Sequence, residues 1–393
     1  MAFLAETAGV RVVERLLQRK SSVVSGKFLS PGKMEEAKSL IAETGADLLL
    51  CDEDLSPSQV RNLEKTLEVR TVDRSELILD IFSQRAQTRE AQIQVELAQL
   101  RYLLPRLAGM WGHLSRTGGG IGTRGPGETQ LEVDRRRVRE KIAVLEERLE
   151  KVEVERETQA KGRNRAFRVS LVGYTNVGKS TLFNRLTGAK VLAENKLFAT
   201  LDTTTRRIHL GSELEVVISD TVGFIRKLPH HLVASFKATL REVGHADLLL
   251  HVVDLAHPAH AAQIQTVEKV LDEILTEPIP RLLVLNKVDQ LTEDDRLVEA
   301  RVRYPEAIMI SAFRDEDLDR VRERIARVIR ELRTLVRVEC TFDRSDELRK
   351  LTPRAERVAE QHMDGRVWTE LWVEKSELVK LRRAGFRVEL PGG

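Results

Sequence analysis

The sequence has few cysteines, few aromatic residues and no long apolar segment. Only Cys51 and Cys340 occur among 393 residues, so neither a disulfide framework nor a cysteine-based zinc site is expected. No apolar run approaches the length of a membrane span, and Glu6 and Arg11 interrupt the stretch that a signal peptide would keep apolar. We therefore expect a cytoplasmic protein without a membrane anchor, in which Cys51 is a reduced, buried thiol.

The sequence also lacks a strong excess of charge of either sign. It has 64 Lys and Arg residues against 61 Asp and Glu, a net charge of +3. A balance this even indicates no particular partner, so nucleic-acid binding has to be argued from local clusters.

The pattern of apolar residues predicts four domains. Residues 1–90 alternate strand-like and helix-like segments, as in an α/β domain, with Arg11–Leu17 as the first strand. Residues 91–166 repeat apolar residues at steps of four and three around a glycine-rich segment, which predicts a long antiparallel helical hairpin with a glycine-rich tip and a linker. Residues 167–335 predict a doubly wound mixed sheet with one antiparallel edge hairpin, and residues 336–393 a small α+β domain.

Three local signals refine these boundaries. Ser56 before Pro57 is typical of a helix start. Thr129 and Glu132 have the spacing of a capping box at the start of the second hairpin helix. Pro105 falls inside the first hairpin helix and is expected to kink or break it.

The strongest functional signal is a glycine-rich phosphate-binding loop, the P-loop, between the predicted strand Phe167–Val172 and a predicted helix. The main-chain N–H groups of such a loop, with the positive end of the next helix, cradle phosphates. Lys179 is expected to bind the β- and γ-phosphates and the Ser180 hydroxyl to ligate Mg²⁺. The nucleotide-binding residues predicted here are Gly173, Tyr174, Thr175, Asn176, Val177, Gly178, Lys179, Ser180 and Thr181. Asn176 has two open interpretations, as a K⁺ ligand or as a residue that only stabilises the loop.

A second motif, Asn286-Lys287-Val288-Asp289, follows the predicted strand Arg281–Leu285 and selects the base. The Asp289 carboxylate can accept hydrogen bonds from both N1–H and N2–H₂ of guanine, and adenine lacks that pair of donors. Main-chain groups of Ser311 and Ala312, after a further strand, are expected to contact the base. These motifs predict binding of GTP and GDP.

Two segments between these motifs resemble the switches of a GTPase. The run Asp220, Thr221, Val222 and Gly223 follows a strand, and its carboxylate and the Gly223 N–H are expected to face Mg²⁺ and the γ-phosphate. The other segment is Phe198, Ala199, Thr200, Leu201 and Asp202. We predict Thr200 as the second Mg²⁺ ligand, with Thr203, Thr204 and Thr205 as alternatives. The predicted catalytic residues are Lys179, Thr200 and Gly223.

Phe224 stands where many GTPases have a water-orienting Gln. This difference predicts slow GTP hydrolysis until a partner stimulates it.

The glycine-rich segment from Arg116 to Arg136, RTGGGIGTRGPGETQLEVDRR, together with the Phe198–Asp202 and Asp220–Phe224 segments, resembles the HflX family. The resemblance implies a GTPase that binds the large ribosomal subunit and helps to separate subunits under stress. The expected contacts with ribosomal RNA are Arg116, Arg124, Arg135 and Arg136, because arginines beside a hairpin tip can bind phosphates. A monomer is expected. Two alternatives stay open: a GTPase scaffold that binds a protein through its hairpin, and a nucleotide sensor with negligible turnover.

Overall fold

The computed structural model describes residues 1–18, 28–110, 126–161, 166–189, 197–198, 203–210, 214–224, 243–291, 294–363 and 366–390. The chain forms two compact units. The first unit consists of Met1–Val154, Glu194–Asp202 and Ile225–Thr239. The second consists of Glu155–Ala193, Thr203–Phe224 and Leu240–Gly393.

The first unit opens with a small α/β layer around a two-stranded parallel sheet, in which β1 (Leu48–Leu50) pairs with β2 (Arg70–Val72). Its apolar core includes Cys51, Leu55 and Leu63. The Cys51 thiol is free and buried, as expected, and burial raises its pKa. The helices of this layer are α1 (Ala2–Thr7), α2 (Pro31–Thr44), α3 (Pro57–Leu67) and α4 (Arg74–Arg85).

In the first unit, one local prediction is correct and two are wrong. The start of α3 is confirmed, since the Ser56 hydroxyl accepts from the Gln59 N–H and the Gln59 side chain accepts from the Ser56 N–H. The predicted strand Arg11–Leu17 is wrong, because these residues pair with no strand among those described. The capping box at Thr129 is also misplaced, since its helix already begins at Pro126.

Two long helices, α5 (Arg89–Met110) and α6 (Pro126–Lys161), carry the predicted apolar seam. Ile93, Leu97 and Leu145 pack together, and Arg101 pairs with Glu146 at 2.6 Å. Pro105 does not end α5. A proline inside a helix removes one main-chain hydrogen bond and its ring crowds the carbonyl four residues earlier, so α5 is continuous in spite of that cost.

The residue after this proline anchors α5 to the sheet layer. The Arg106 guanidinium donates to the Leu55 carbonyl at 2.9 Å and pairs with the Asp73 carboxylate at 2.8 Å.

The second unit contains a six-stranded sheet in the order β4-β5-β3-β6-β7-β8. The β4 strand runs antiparallel to β5 and forms the predicted edge hairpin, whereas all other pairs are parallel. The strands are β3 (Phe167–Gly173), β4 (Thr204–Leu210), β5 (Leu214–Asp220), β6 (Leu248–Asp254), β7 (Arg281–Asn286) and β8 (Ile308–Met309). The described helices beside them are α7 (Lys179–Thr187), α8 (His260–Ile274), α9 (Asp294–Arg303) and α10 (Asp315–Glu331).

The central strands β3, β5 and β6 have few solvent-facing residues, because helices cover the sheet. Leu171, Ile218 and Val252 are fully buried in one apolar cluster with residues of α7 and α10. Parallel strands bring their carboxyl ends to one edge of a sheet, where ligands bind in this fold class. The loops after β3, β5, β7 and β8 therefore meet at a single edge.

The chain ends in a four-stranded antiparallel sheet in the order β10-β11-β9-β12. Val338, Leu371 and Leu381 are core residues of this domain. The sequence pattern predicted neither α11 nor β10, which complete a βαββαβ arrangement. The elements are β9 (Thr334–Thr341), α11 (Ser345–Leu351), β10 (Glu356–Met363), β11 (Arg366–Val373), α12 (Lys375–Arg383) and β12 (Arg387–Glu389). Within the described part of the chain, no helix has the length and apolar character needed to span a bilayer.

Candidate nucleotide-binding site

The glycine-rich loop connects β3 to α7 and is packed too closely for side chains at two positions. A Cβ on Gly173 would lie 2.2 Å from the Val252 carbonyl oxygen, and one on Gly178 would lie 2.4 Å from the Asn286 side-chain nitrogen. Gly178 also has a φ of +95°, which strongly favours glycine. Both glycines are thus fixed by the fold.

Lys179 begins α7 and is almost completely buried. Its ammonium group donates to the carbonyls of Gly173, at 3.3 Å, and Tyr174, at 3.0 Å. Burial lowers the pKa of Lys179 to about 8, and the Asp220 carboxylate acts in the opposite direction. A phosphate group would add a negative charge and so favour the protonated amine.

The loop contains a buried polar atom suited to a ligand. The Thr175 hydroxyl oxygen has no hydrogen-bond partner among the described residues, although buried side-chain oxygens normally have one. Next to it, Asn176 has a φ of +62°, and its carbonyl accepts a hydrogen bond from the Lys287 ammonium group at 2.8 Å. The loop is thereby tied to the motif predicted to read the base.

Asn286 is the central connector of the site. This last residue of β7 is 2% exposed, and its side-chain amide donates to the Val177 carbonyl at 2.9 Å. Its side-chain oxygen accepts from the Ala312 N–H at 3.0 Å. One side chain thus joins the P-loop to the Ser311–Ala312 loop.

The end of the site that is predicted to read the base is exposed. Asp289 lies in a short 3₁₀ helix, Val288–Gln290, and is exposed. The Ser311 N–H donates to the Asp317 carboxylate at 2.7 Å, which holds the Ser311–Ala312 loop in place.

Two residues of the site were not among the predicted ones. They are Asp317 and Asp254, and Asp254 pairs with Lys287 at 2.7 Å. A carboxylate directly after the mostly apolar strand segment Leu248–Val253 was a signal that could have indicated Asp254.

The Asp220–Phe224 segment begins at the end of β5 and lies directly on the P-loop. A Cβ on Gly223 would be 2.8 Å from Thr175 Cα and 2.9 Å from Lys179 Nζ, so there is no room for a side chain. The Phe224 N–H donates to the Gly173 carbonyl at 3.0 Å, and the Thr175 N–H donates to the Phe224 carbonyl at 2.8 Å. Phe224 is buried and supplies no polar side chain to the site.

The donor set beside the P-loop suits Mg²⁺. Ser180 lies in the first turn of α7, and Asp220 is fully buried at the end of β5. A hydroxyl and a carboxylate are hard oxygen donors, which Mg²⁺ prefers. Ser180 would hold the ion directly, and Asp220 would hold its water shell.

The first predicted switch lies only partly within the described residues. Ala199, Thr200, Leu201 and Asp202 are outside them, as are Arg116 and Arg124. Phe198 is described and buried, with its ring edge-on to Phe82 at a centroid distance of 4.6 Å. Its neighbour Leu197 donates its N–H to the Thr7 hydroxyl at 3.3 Å. Both contacts lie within the first unit.

The remaining predicted site residues are the arginines of α6. Arg136 is exposed and lies 3.7 Å from Glu140, and Arg135 is half-buried.

Comparisons with known proteins match most of the chain. The model described as "GTP-binding GTPase N-terminal" matches residues 1–83, "GTP-binding GTPase Middle Region" matches residues 85–163, and "50S ribosome-binding GTPase" matches residues 168–287. A crystal structure of SsGBP in complex with GDP is 26% identical, with a TM-score of 0.49, and the match covers 83% of this chain and 93% of that chain.

Curated relatives agree with these matches. GTPase HflX of Caldanaerobacter subterraneus subsp. tengcongensis is 47% identical over 363 residues, 92% of this chain and 83% of that protein. GTPase HflX of Escherichia coli K12 is 50% identical over 312 residues, 79% of this chain and 73% of that protein. Identity this high over most of both sequences shows that the chain belongs to the HflX family of GTPases.

Proposed function

We propose that this GTPase binds the large ribosomal subunit, promotes separation of ribosomal subunits or rescue under stress, and does so in the cytoplasm. The proposal rests on the match of residues 168–287 to the "50S ribosome-binding GTPase" model and on the HflX relatives. One structural observation supports contact with RNA. Residues 135–139 of α6 contain four arginines, and Arg136, Arg137 and Arg139 are exposed.

In this proposal the arginines of α6 bind RNA phosphates. A phosphate contact releases counterions, so its loss weakens binding and reduces the dependence of affinity on salt. Arg116 and Arg124, near the glycine-rich tip, act in the same way.

Ribosome binding is tested by replacing Arg135 and Arg136 with glutamate and measuring co-sedimentation with purified large subunits across a salt series. Roughly tenfold weaker binding and a smaller salt slope are expected, with GTP affinity unchanged. Arg148→Glu with Lys151→Glu is the matched control, because it makes the same charge change on exposed residues of the same helix. Equal binding by the α6 variant and wild type would contradict the proposal, and the same test applies to Arg116 and Arg124.

We further propose that hydrolysis is slow until the ribosomal subunit stimulates it. The buried Phe224 side chain cannot orient water, and the Phe224 main chain is hydrogen-bonded to Gly173 and Thr175. GTP turnover with and without purified large subunits tests this, and strong stimulation is expected. Fast turnover without a partner would refute it, and no turnover in either condition would favour a nucleotide sensor.

We propose that Ser180 and Thr200 bind Mg²⁺ directly and that the ion stabilises the charge on the phosphates. Replacement of either residue with alanine is expected to raise the Mg²⁺ concentration needed for half-maximal GTP binding.

Asn176 is tested as a K⁺ ligand by comparing turnover in K⁺ and Na⁺ buffers. Equal rates would leave Asn176 as a loop-stabilising residue.

A further inference from the structure

Asp254 is a largely shielded carboxylate at the edge of the sheet that carries the P-loop. It is the last residue of β6, and the strand register places it opposite Asn286, the last residue of β7. Its Oδ2 atom lies 2.7 Å from the Lys287 ammonium group. The two side chains are only 15% and 19% exposed, so this ion pair is largely shielded from water.

Both oxygens of this carboxylate are held. Oδ1 accepts a hydrogen bond from the Ala256 N–H at 3.0 Å, while Oδ2 faces Lys287. The Leu255 N–H also donates to the Asn286 carbonyl at 3.0 Å, which fixes the two strand ends to each other. The position of the carboxylate is thus set by the main chain of the sheet.

Lys287 transmits this position to the P-loop. Its ammonium group donates to the Asn176 carbonyl at 2.8 Å while it is paired with Asp254. Its backbone has a φ of +64°, an uncommon conformation for a lysine. A lysine side chain is long and rotates freely, so a second fixed contact is needed to keep it on the loop.

We propose that Asp254 is a positioning residue for guanine-nucleotide binding, which holds Lys287 against the P-loop carbonyl of Asn176 and thereby slows nucleotide release. Asp254 acts through Lys287 and not by touching the nucleotide. Its role is separate from the proposed binding to the ribosome, because release can be measured on the protein alone.

An exposed ion pair in the same domain provides the comparison. Asp272 pairs with Arg281 at 2.5 Å, but its side chain is 67% exposed. Exposed ion pairs contribute little because water screens them. Asp272→Asn removes a carboxylate by the same chemical change and is the matched control.

The experiment measures dissociation of a fluorescent GDP analogue by stopped flow. Asp254→Asn preserves the side-chain shape and is expected to raise the dissociation rate about tenfold, because a shielded charged hydrogen bond is lost. The rate of GTP hydrolysis in a single turnover is expected to change by a smaller factor. Asp272→Asn is expected to change neither rate. An unchanged dissociation rate in Asp254→Asn, even with a lower melting temperature, would leave Asp254 with a structural role only and overturn the proposal.

Two further variants test the route through Lys287. In a Lys287→Met background, Asp254→Asn is expected to have almost no additional effect, whereas a full additional tenfold increase would overturn the proposal. Asp254→Glu keeps the charge and is expected to give a dissociation rate between those of wild type and Asp254→Asn. A glutamate variant that releases GDP as fast as Asp254→Asn would count against positioning by charge.

Discussion

Replacing Asn286 with alanine is expected to disconnect the P-loop from the loop that carries Ala312. The asparagine side chain makes one hydrogen bond to each loop, to the Val177 carbonyl at 2.9 Å and from the Ala312 N–H at 3.0 Å. Both bonds are buried, so water cannot readily replace the lost partner.

The magnitude follows from these two bonds. Leaving a buried polar group unsatisfied costs about 1–3 kcal/mol, so two such groups cost about 2–6 kcal/mol. We expect about 3 kcal/mol of this loss to appear as weaker GDP binding, because both loops belong to the site. Since about 1.4 kcal/mol corresponds to tenfold in affinity, Kd should rise roughly a hundredfold.

The assay combines calorimetric titration with GDP and amide hydrogen exchange followed by NMR. Exchange at the Ala312 N–H should accelerate, since its acceptor is the side chain removed. The Ile310 N–H, bonded to the Leu285 carbonyl at 2.9 Å, serves as an internal reference.

Asn62→Ala, at an exposed position of α3, is the control for the same substitution outside the site. A less than threefold change in Kd for Asn286→Ala, together with unaltered exchange at Ala312, would refute the connector role.

Three further outcomes are expected. Lys179→Ala should abolish tight GTP binding, because a buried cation at the phosphates is lost, and a normal Kd in titration calorimetry would contradict the assignment. Asp289→Asn should weaken discrimination for guanine and increase use of xanthosine nucleotides, and unchanged selectivity in competition titrations would exclude base reading by this carboxylate. Burial, assisted by the charges of Arg281 and Lys179, lowers the pKa of His251 to about 4. The unfolded chain takes up this proton near pH 6.5 and the folded chain only near pH 4. The free energy of unfolding should therefore decrease by about 3 kcal/mol as the pH falls from 6.5 to 4. Urea unfolding at pH 7 and pH 4.5 measures this pH dependence, and His251→Gln should remove the part that comes from His251. A variant with the same pH dependence as wild type would contradict the assignment.

The positions of two motifs in the fold were predictable because each motif is short and contiguous. The stretch from Gly173 to Ser180 was predicted to connect a strand to a helix, and in the structure it runs from the last residue of β3 into the first turn of α7. The Asn286–Asp289 motif likewise follows β7. The start of α3 was also predicted from neighbouring residues, Ser56 before Pro57, and the structure adds the capping by Ser56.

Predictions failed where tertiary contacts outweigh local preference. Pro105 does not break α5, which continues to Met110, and Arg106 is bonded to Leu55 and Asp73, which are far away in sequence. In the C-terminal domain, β10 was not predicted because the run Glu356–Met363 is rich in polar residues. Pairing with β11 makes it a strand.

Motif spacing was enough to place the glycine-rich loop after β3 and the Asn286–Asp289 motif at the end of β7, because each motif is contiguous with its strand. The contacts that join these motifs come from the folded structure alone: Asn286 connects two loops, and Asp254 and Lys287 connect β6 to the P-loop. These contacts link residues that strand order and register bring together, and a side chain's distant partner leaves no periodic pattern in the sequence.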